Sequence, residues 1–303
     1  MVPCGSRIAS DFTNGDTKRY NWAGMVMTRV GILYHPMKPA ACALAKKLAE
    51  FLGARGLVVW SCSAWEVETA RAQVNGTDLI LSVGGDGTIL RAAEAVVPGP
   101  TPIVGINLGQ LGFMTELNVA EAESKILALL AGEGRIDERS MLEAKIYPAG
   151  EGQGLPGVFY ALNDVVLARG IAQIVYIETS IDDEPLTTYK ADGVIVATAT
   201  GSTGYALAAG GPILHPQSRE ILLLPILPHL GLAYPMVLPS TATVKLRHNS
   251  PQPVMLSIDG HINRPLAGGV TITVKHSANT VRFLRVHPET AFYSSLEQKL
   301  KGK

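Results

Sequence analysis

Gly84-Gly85-Asp86-Gly87-Thr88 stands where an apolar run, 79–83, stops and a helical pattern starts. In an open α/β sheet, ligands bind in the crevice at the carboxyl ends of the strands. Glycines let the backbone come close to a phosphate chain, and the free amides of a helix start favour anions. The plainer reading of the same residues is a tight turn with Asp86 as N-cap. A second cluster, Thr200-Gly201-Ser202-Thr203-Gly204-Tyr205, interleaves hydroxyls with glycines and so offers short donors and acceptors for ribose, phosphate or amide groups. Tyr205 adds a flat face on which an adenine can stack. Asn163-Asp164 sets an amide beside a carboxylate at a strand start, a pair able to grip two ribose hydroxyls. Taken singly, the hydroxyl run reads as a loop and Asn163-Asp164 as a turn.

Other chemistries are disfavoured. No GxxxxGK[ST] occurs, and the formal GxGxxG at Gly152, Gly154 and Gly157 carries Pro156 and leads into a strand-like run, so it reads as a surface loop. Cys4, Cys42 and Cys62 cannot build a disulfide framework and lack zinc spacing. His215, His229, His248, His276 and His287 show no metal spacing either, so no protein-held metal is expected. Lys+Arg 26 against Asp+Glu 26 leaves no net field for a polyanion, which argues against nucleic acid as a partner. The most apolar stretch, 221–228, is short and holds Pro225 and Pro228, too little to span a bilayer. A reducing cytoplasm fits this cysteine usage.

These motifs need a scaffold, and 303 residues with 47% hydrophobic content suffice for two domains. From Arg29, β-branched runs alternate with helical periodicity, the pattern of a parallel sheet with crossover helices. Strands are expected at 30–34, 57–60, 79–83 and 102–106, and helices after Pro39, over 88–97 and around 122–130. After about Gly134, strand-like runs follow one another with turns between. They are 141–147, 159–162, 165–168, 174–181, 186–190, 194–197, 243–246, 254–258, 270–274 and 281–284, with Asp182-Asp183-Glu184-Pro185 as hairpin turn chemistry. The fold class expected is therefore an α/β, Rossmann-like N-terminal domain with a parallel sheet and a mostly β, sandwich-like C-terminal domain. The domains are set at 28–136 for nucleotide binding and 137–284 for the β-rich part, with 285–303 able to pack back on the first. Residues 1–27 lack a signal-peptide core and are expected to be disordered or to precede the true start of translation.

In chain order the motifs are GGDGT at 84–88, Asn107-Leu108-Gly109-Gln110-Leu111-Gly112-Phe113, Ala161-Leu162-Asn163-Asp164, Asp192-Gly193, TGSTGY at 200–205 with Gly210-Gly211-Pro212, and Pro228-His229. In this combination the chain resembles the NAD kinases over about residues 29–284. Lipid and sugar kinases share a GGDG turn without the later motifs. The resemblance implies transfer of the γ-phosphoryl of ATP, or of polyphosphate in some members, to the 2′-hydroxyl of the adenosine ribose of NAD, with a divalent metal such as Mg2+. It makes Asp86 the catalytic general base, beside the NAD together with Gly87. Gly84, Gly85, Gly87 and Thr88 become the ATP phosphate turn, with Asn107 as helper. Asn163 and Asp164 match the family's ribose-binding Asn-Glu pair, the second shortened by one methylene. Thr200, Thr203, Gly204, Tyr205, Ala206, Leu207 and Ala208 would surround the adenosine. Lys190 and Asp192 would lie near the rest of the dinucleotide, Asp192 at a neighbouring subunit's site, since the family forms homodimers or homotetramers.

Some positions depart from the family pattern. Ala199 stands for Pro, Gly204 for Ala, and Tyr234-Pro235 for Arg-Pro, which removes a positive charge. Asp259-Gly260-His261 resembles the late Asp-x-Gln element, with His261 either donating a hydrogen bond to NAD or facing solvent in a turn. Two other readings remain at this level: a lipid kinase sharing the GGDGT turn, and a nucleotide-sensing module on a decayed kinase scaffold.

Overall fold

In the computed structural model, residues 27–109, 112–147, 157–170, 174–229, 234–249 and 253–288 are described, with 292, 293, 296, 297 and 300. Residues 1–26, most of the Gly152–Gly157 loop and most of the last residues lie outside them. The chain opens with β1 (Arg29–Tyr34), α1 (Pro39–Gly53), β2 (Val58–Ser63), α2 (Val67–Val74), β3 (Leu79–Val83), α3 (Asp86–Val96), β4 (Ile103–Asn107), β5 (Leu117–Asn118) and α4 (Ala122–Leu130). Pro39 starts α1, where its missing N–H has no role, and Ala41, Leu44, Ala45, Leu48 and Leu52 bury one face. β2, β1, β3 and β4 are neighbours in that order and all parallel, so each crossover helix packs back on the sheet.

The second half is built of strands. These are β6 (Arg135–Tyr147), β7 (Val158–Ala161), β8 (Asp164–Arg169), β9 (Val175–Ile181), β10 (Glu184–Ala191), β11 (Gly193–Ala197), β12 (Ile221–Ile226), β13 (Met236–Leu238), β14 (Thr243–His248), β15 (Val254–Ile258), β16 (Ile262–Leu266) and β17 (Thr271–Arg285), with one-turn α5 (Tyr205–Ala208) after β11. An antiparallel sheet runs β13-β12-β11-β8-β15-β16. It packs against the other sheet through Val165, Leu167, Val194, Val196, Leu223, Leu256 and Ile258 on one side and Leu142, Ile177, Val244, Leu246, Ile272 and Val274 on the other. This is a sandwich of alternating inward residues.

The expected fold class is what the chain adopts, an α/β half with parallel strands followed by a mostly β half. The two halves share one sheet, in the order β10-β9-β14-β17-β4-β3-β1-β2. β17 pairs antiparallel with β6 along most of its length and meets β4 in parallel at Phe283↔Ile103. The boundary set at 136/137 falls inside β6, and the separate runs 270–274 and 281–284 are one strand with an irregularity between His276 and Thr280. Other expectations shift by a few residues: the second strand is 58–63, not 57–60, and the helix after the glycine turn starts at Asp86, not Thr88.

The apolar run 221–228 supplies β12 despite Pro225. That proline lies past the three residues at which β13 pairs, so no partner on that side loses a donor. Asp182 and Asp183 both have positive φ, 51° and 69°, the two-residue hairpin geometry that joins β9 to β10.

Candidate functional site

β3 stops at Val83 and the backbone turns at once into α3. Gly84 N–H donates to the Ile106 carbonyl at 2.9 Å, and the Gly85 carbonyl accepts Thr88 N–H at 2.9 Å. Gly85 holds the cap position and makes no side-chain cap bond, so Asp86 is the first helical residue rather than the N-cap. Its carboxylate is used elsewhere: Oδ2 accepts Phe113 N–H at 2.9 Å and Oδ1 accepts Met114 N–H at 3.1 Å. Gly112 is pressed against it, and a Cβ there would overlap the carboxylate. An ionised carboxylate has about four acceptor positions, so two N–H bonds fix its orientation and leave room for a hydroxyl. Gly87 is exposed, and Thr88 is buried beside Gly84. Asn107 is buried at the end of β4, its Oδ1 accepting Gly109 N–H at 3.2 Å.

The β half brings its motifs to one place through a buried aspartate. Asp259 accepts Leu162 N–H at 2.9 Å, Asn163 N–H at 2.7 Å and Asp164 N–H at 3.1 Å. It sits in a turn with Gly260, both at positive φ (50° and 69°), closed by His261 N–H to the Ile258 carbonyl at 3.1 Å. Thr198 completes the link, with N–H to the Asn163 carbonyl at 2.8 Å and Oγ1 to the Leu162 carbonyl at 2.6 Å. Gly201 is forced by this contact, since a Cβ would run into the Asn163 carbonyl. A methyl on Gly204 would lie 3.5 Å from Asn163 Nδ2 and 3.9 Å from Asp164 Oδ2, so the amide and carboxylate face the hydroxyl-rich segment. Asn163 Oδ1 is buried without a hydrogen-bond partner among the described residues. Thr200 and Thr203 are buried, Thr203 Oγ1 donating to the Thr200 carbonyl at 3.2 Å; Ala206 is buried, Leu207 partly so, and Tyr205 and Ala208 are exposed.

His261 is not a solvent-facing turn residue. Its Nε2 lies 2.8 Å from Glu94 Oε2 on α3 and its Nδ1 3.1 Å from the Asp259 carbonyl. Burial opposes its charging, but Glu94 and Asp259 outweigh that and raise its pKa. The two halves also share an apolar cluster in which Ile89, Leu90 and Met114 pack with Met141, Leu162 and Phe283. The loop that holds the Asp86 carboxylate therefore packs with the residue preceding Asn163.

Lys190 and Asp192 are not brought into this cluster within the chain. Asp192 pairs with Arg169 at 2.9 Å, and Lys190 stands 5.9 Å from the Tyr176 ring. Arg169 closes the end of β8 opposite Asp164, about 16 Å away at roughly 3.3 Å per residue. Sequence reading also missed Glu94 and the buried charges Glu116, Asp137, Arg139 and Arg285, whose partners lie as far as 171 positions away. No local spacing marks such residues.

Burial and the neighbouring Asp259 charge push the Asp164 carboxyl up to about 7. Burial likewise raises Asp259, to about 6, against its three N–H donors. A carboxyl raised on folding contributes stability that is full below its ordinary value, about 3.9, and is lost as pH rises through the folded value. Asp164→Asn is therefore expected to gain on the parent in denaturant midpoint from about pH 4 to about pH 8. Parallel urea titrations check this, and a constant difference would contradict it.

Among the described residues no three His, Cys, Asp or Glu side chains gather in a metal-holding group. A hard divalent ion with most of its ligands from phosphate oxygens and water needs only one or two carboxylates. The open lone pairs of Asp86 meet that requirement. Among the described residues no helix is long and apolar enough to cross a membrane.

Comparison with known proteins shows the family of the chain. Residues 59–134 match the model of the ATP-NAD kinase N-terminal domain, and residues 162–286 that of the ATP-NAD kinase C-terminal domain. The chain is 50% identical to the NAD kinase of Dehalococcoides mccartyi over 275 residues, 90% of this chain and 96% of that one. It is 40% identical to the NAD kinase of Chloroflexus aggregans over 277 residues, 91% and 99% of the two chains. Among solved structures, yeast NADH kinase complexed with NADH superposes with a TM-score of 0.81 at 24% identity, covering 92% of this chain and 88% of that one. An NAD kinase from Archaeoglobus fulgidus in complex with ATP superposes at 0.72 and 24% identity, covering 90% and 99%. These two likenesses carry the fold.

Proposed function

The chain belongs to the NAD kinase family, and we propose how its own residues perform the reaction. It phosphorylates NAD with ATP as donor. The acceptor is the 2′-hydroxyl of the adenosine ribose and the product is NADP. Asn163 and Asp164 grip the ribose, Thr200, Thr203 and Gly204 line the adenosine, and Tyr205 covers the base, flanked by Ala206, Leu207 and Ala208. Asp86 accepts the 2′-hydroxyl proton as that oxygen attacks the γ-phosphorus, the bond from the γ-phosphorus to the β,γ-bridging oxygen breaks and ADP leaves, and Gly84, Gly85, Gly87 and Thr88 cradle the donor phosphates beside Asn107. Asp86 would also be the protein ligand of a divalent ion, Mg2+ by its preference for hard oxygens, which supplies charge neutralisation to the phosphates when bound.

The observation that carries this reading is the Asp86 carboxylate itself. Two backbone N–H groups aim it while leaving acceptor positions open, at the start of the helix that follows a glycine turn. Such a fixed carboxylate with acceptor positions to spare suits proton acceptance in a reaction governed by positioning. His261, held by Glu94, supports the turn that carries Asp259 and so acts on the ribose site from behind.

Lys190 and Asp192, remote from the site of their own chain, would serve a neighbouring copy in a homodimer or homotetramer, which light scattering at the mass of a single chain would refute. The assignment to the cytoplasm rests on free cysteines, Cys42 and Cys62 being unpaired among the described residues. The deciding experiment is a coupled assay of the purified protein with NAD, ATP and Mg2+. NADP should accumulate with ATP consumption; phosphorylation of a lipid headgroup and none of NAD would overturn the reading.

A further inference from the structure

A line of buried polar contacts connects the two sides of the site. Met114, whose N–H holds Asp86 Oδ1, offers its carbonyl to Arg285 Nη1 at 2.8 Å. Arg285 Nε donates to Asp137 Oδ2 at 3.1 Å. Asp137 also receives Arg139 through both oxygens, Nε at 2.9 Å and Nη2 at 2.6 Å. The remaining nitrogen, Arg139 Nη1, donates to Thr200 Oγ1 at 3.3 Å. Glu116 anchors the far side, 3.2 Å from Arg285 and accepting the Val286 and His287 N–H groups at 2.8 Å each. The side chains of Asp137, Arg139, Arg285 and Glu116 are 4%, 8%, 6% and 8% exposed, so the whole line runs away from water.

Buried ion pairs are weak evidence for stability, because desolvation offsets their attraction and apolar replacements often serve as well. Here the ends of the line have a separate meaning. One touches the residue that aims Asp86, the other a hydroxyl in the nucleotide segment, and Asp137, Arg139 and Arg285 stand on β6 and β17, the strands that join the two halves. We propose that Asp137, Arg139 and Arg285 are positioning residues that hold Asp86 and Thr200 at a fixed separation, so that the general base meets the hydroxyl of a nucleotide bound in the other half. The proposal rests on the roles given above to Asp86 and Thr200.

The two ends predict different kinetic symptoms. Lysine keeps the charge but loses the planar fork that makes two directed bonds. Arg285→Lys should loosen the Met114 loop and lower kcat about 10- to 100-fold, the usual consequence of a misplaced catalytic group, with the KM for NAD within about twofold. Arg139→Lys should free Thr200 and raise the KM for NAD about 5- to 10-fold, the worth of one hydrogen bond, with kcat within about threefold. Steady-state kinetics on folded variants read this split. Equal changes in kcat and KM for both variants, or no change in either, would overturn the proposal. Should a lysine variant fail to fold, Asp137→Asn removes the central charge at constant volume and should show both symptoms together; parental kinetics in that variant would also overturn it. A parent that forms no NADP refutes the functional reading itself, which the variants' split does not address, and removes the premise.

Discussion

Asp86→Asn is expected to lower kcat for NADP formation by about two to four orders of magnitude, the range for loss of a positioned general base. The change is less innocent than its shape suggests. Both carboxylate oxygens accept backbone N–H groups, from Phe113 and Met114, and an amide can offer only one oxygen. Its NH2 must then face a donor, so the 112–114 loop should shift and the variant should lose about 1–2 kcal/mol of stability as well. Asp86→Ala leaves both N–H groups without their acceptor, to be met only by water, and should lose a similar amount with the same fall in kcat. Stopped assays at saturating NAD and ATP, with thermal melts alongside, separate the two effects. Activity within tenfold of the parent in both variants would remove Asp86 from the chemistry.

The second large effect belongs to Asp259. Its carboxylate is the shared acceptor for three consecutive backbone N–H groups, those of Leu162, Asn163 and Asp164. Asp259→Ala leaves these donors unpaired in a buried turn, at about 1–3 kcal/mol each before relaxation and about 3–5 kcal/mol in sum after it. Asn163 and Asp164 lose their aim at the same time, so the KM for NAD should rise by at least about tenfold, far more than the KM for ATP. Asp259→Asn retains one acceptor and should fall between the two. Removing the Asp259 charge also relieves one of the two influences that raise the Asp164 carboxyl, so Asp164 should titrate lower in either variant, measurable by NMR. A parental KM for NAD in folded Asp259→Ala would contradict this account.

Much of the scaffold was legible because its signals are local. Val30, Ile32 and Leu33 in β1, and Ala41, Leu44, Leu48 and Leu52 along α1, follow the periods of a buried strand and an amphipathic helix. The Asp182-Asp183 turn announced its hairpin for the same reason. The glycine turn at 84–88 and the segment 200–205 stood out because tight backbone approach demands small residues, as Gly201 against Asn163 illustrates. What escaped was set by long-range pairing. Nothing near Glu94 announces His261, 167 positions later, and nothing near Arg139 announces Thr200. The motif containing Asp259 was visible, yet its three N–H partners were not, since they depend on how β15 lies beside β8. The unity of β17 was hidden by its polar middle, His276 to Thr280, where the pairing with β6 is irregular.

The placement of β17 has a consequence for how the molecule comes into being on the ribosome. Phe283 is the residue that meets Ile103 of β4, so beyond the short β5, which pairs at Ile106 and Asn107, that edge of the first sheet has no neighbour until nearly residue 283 has been made. The early half then waits with the first part of that strand edge unfilled and with the surface around Ile89 and Met114 bare, a state prone to the wrong partners. Chains cut short before residue 271 should therefore be recovered as insoluble or chaperone-bound material, and the two halves expressed apart should not yield an autonomous N-terminal fragment.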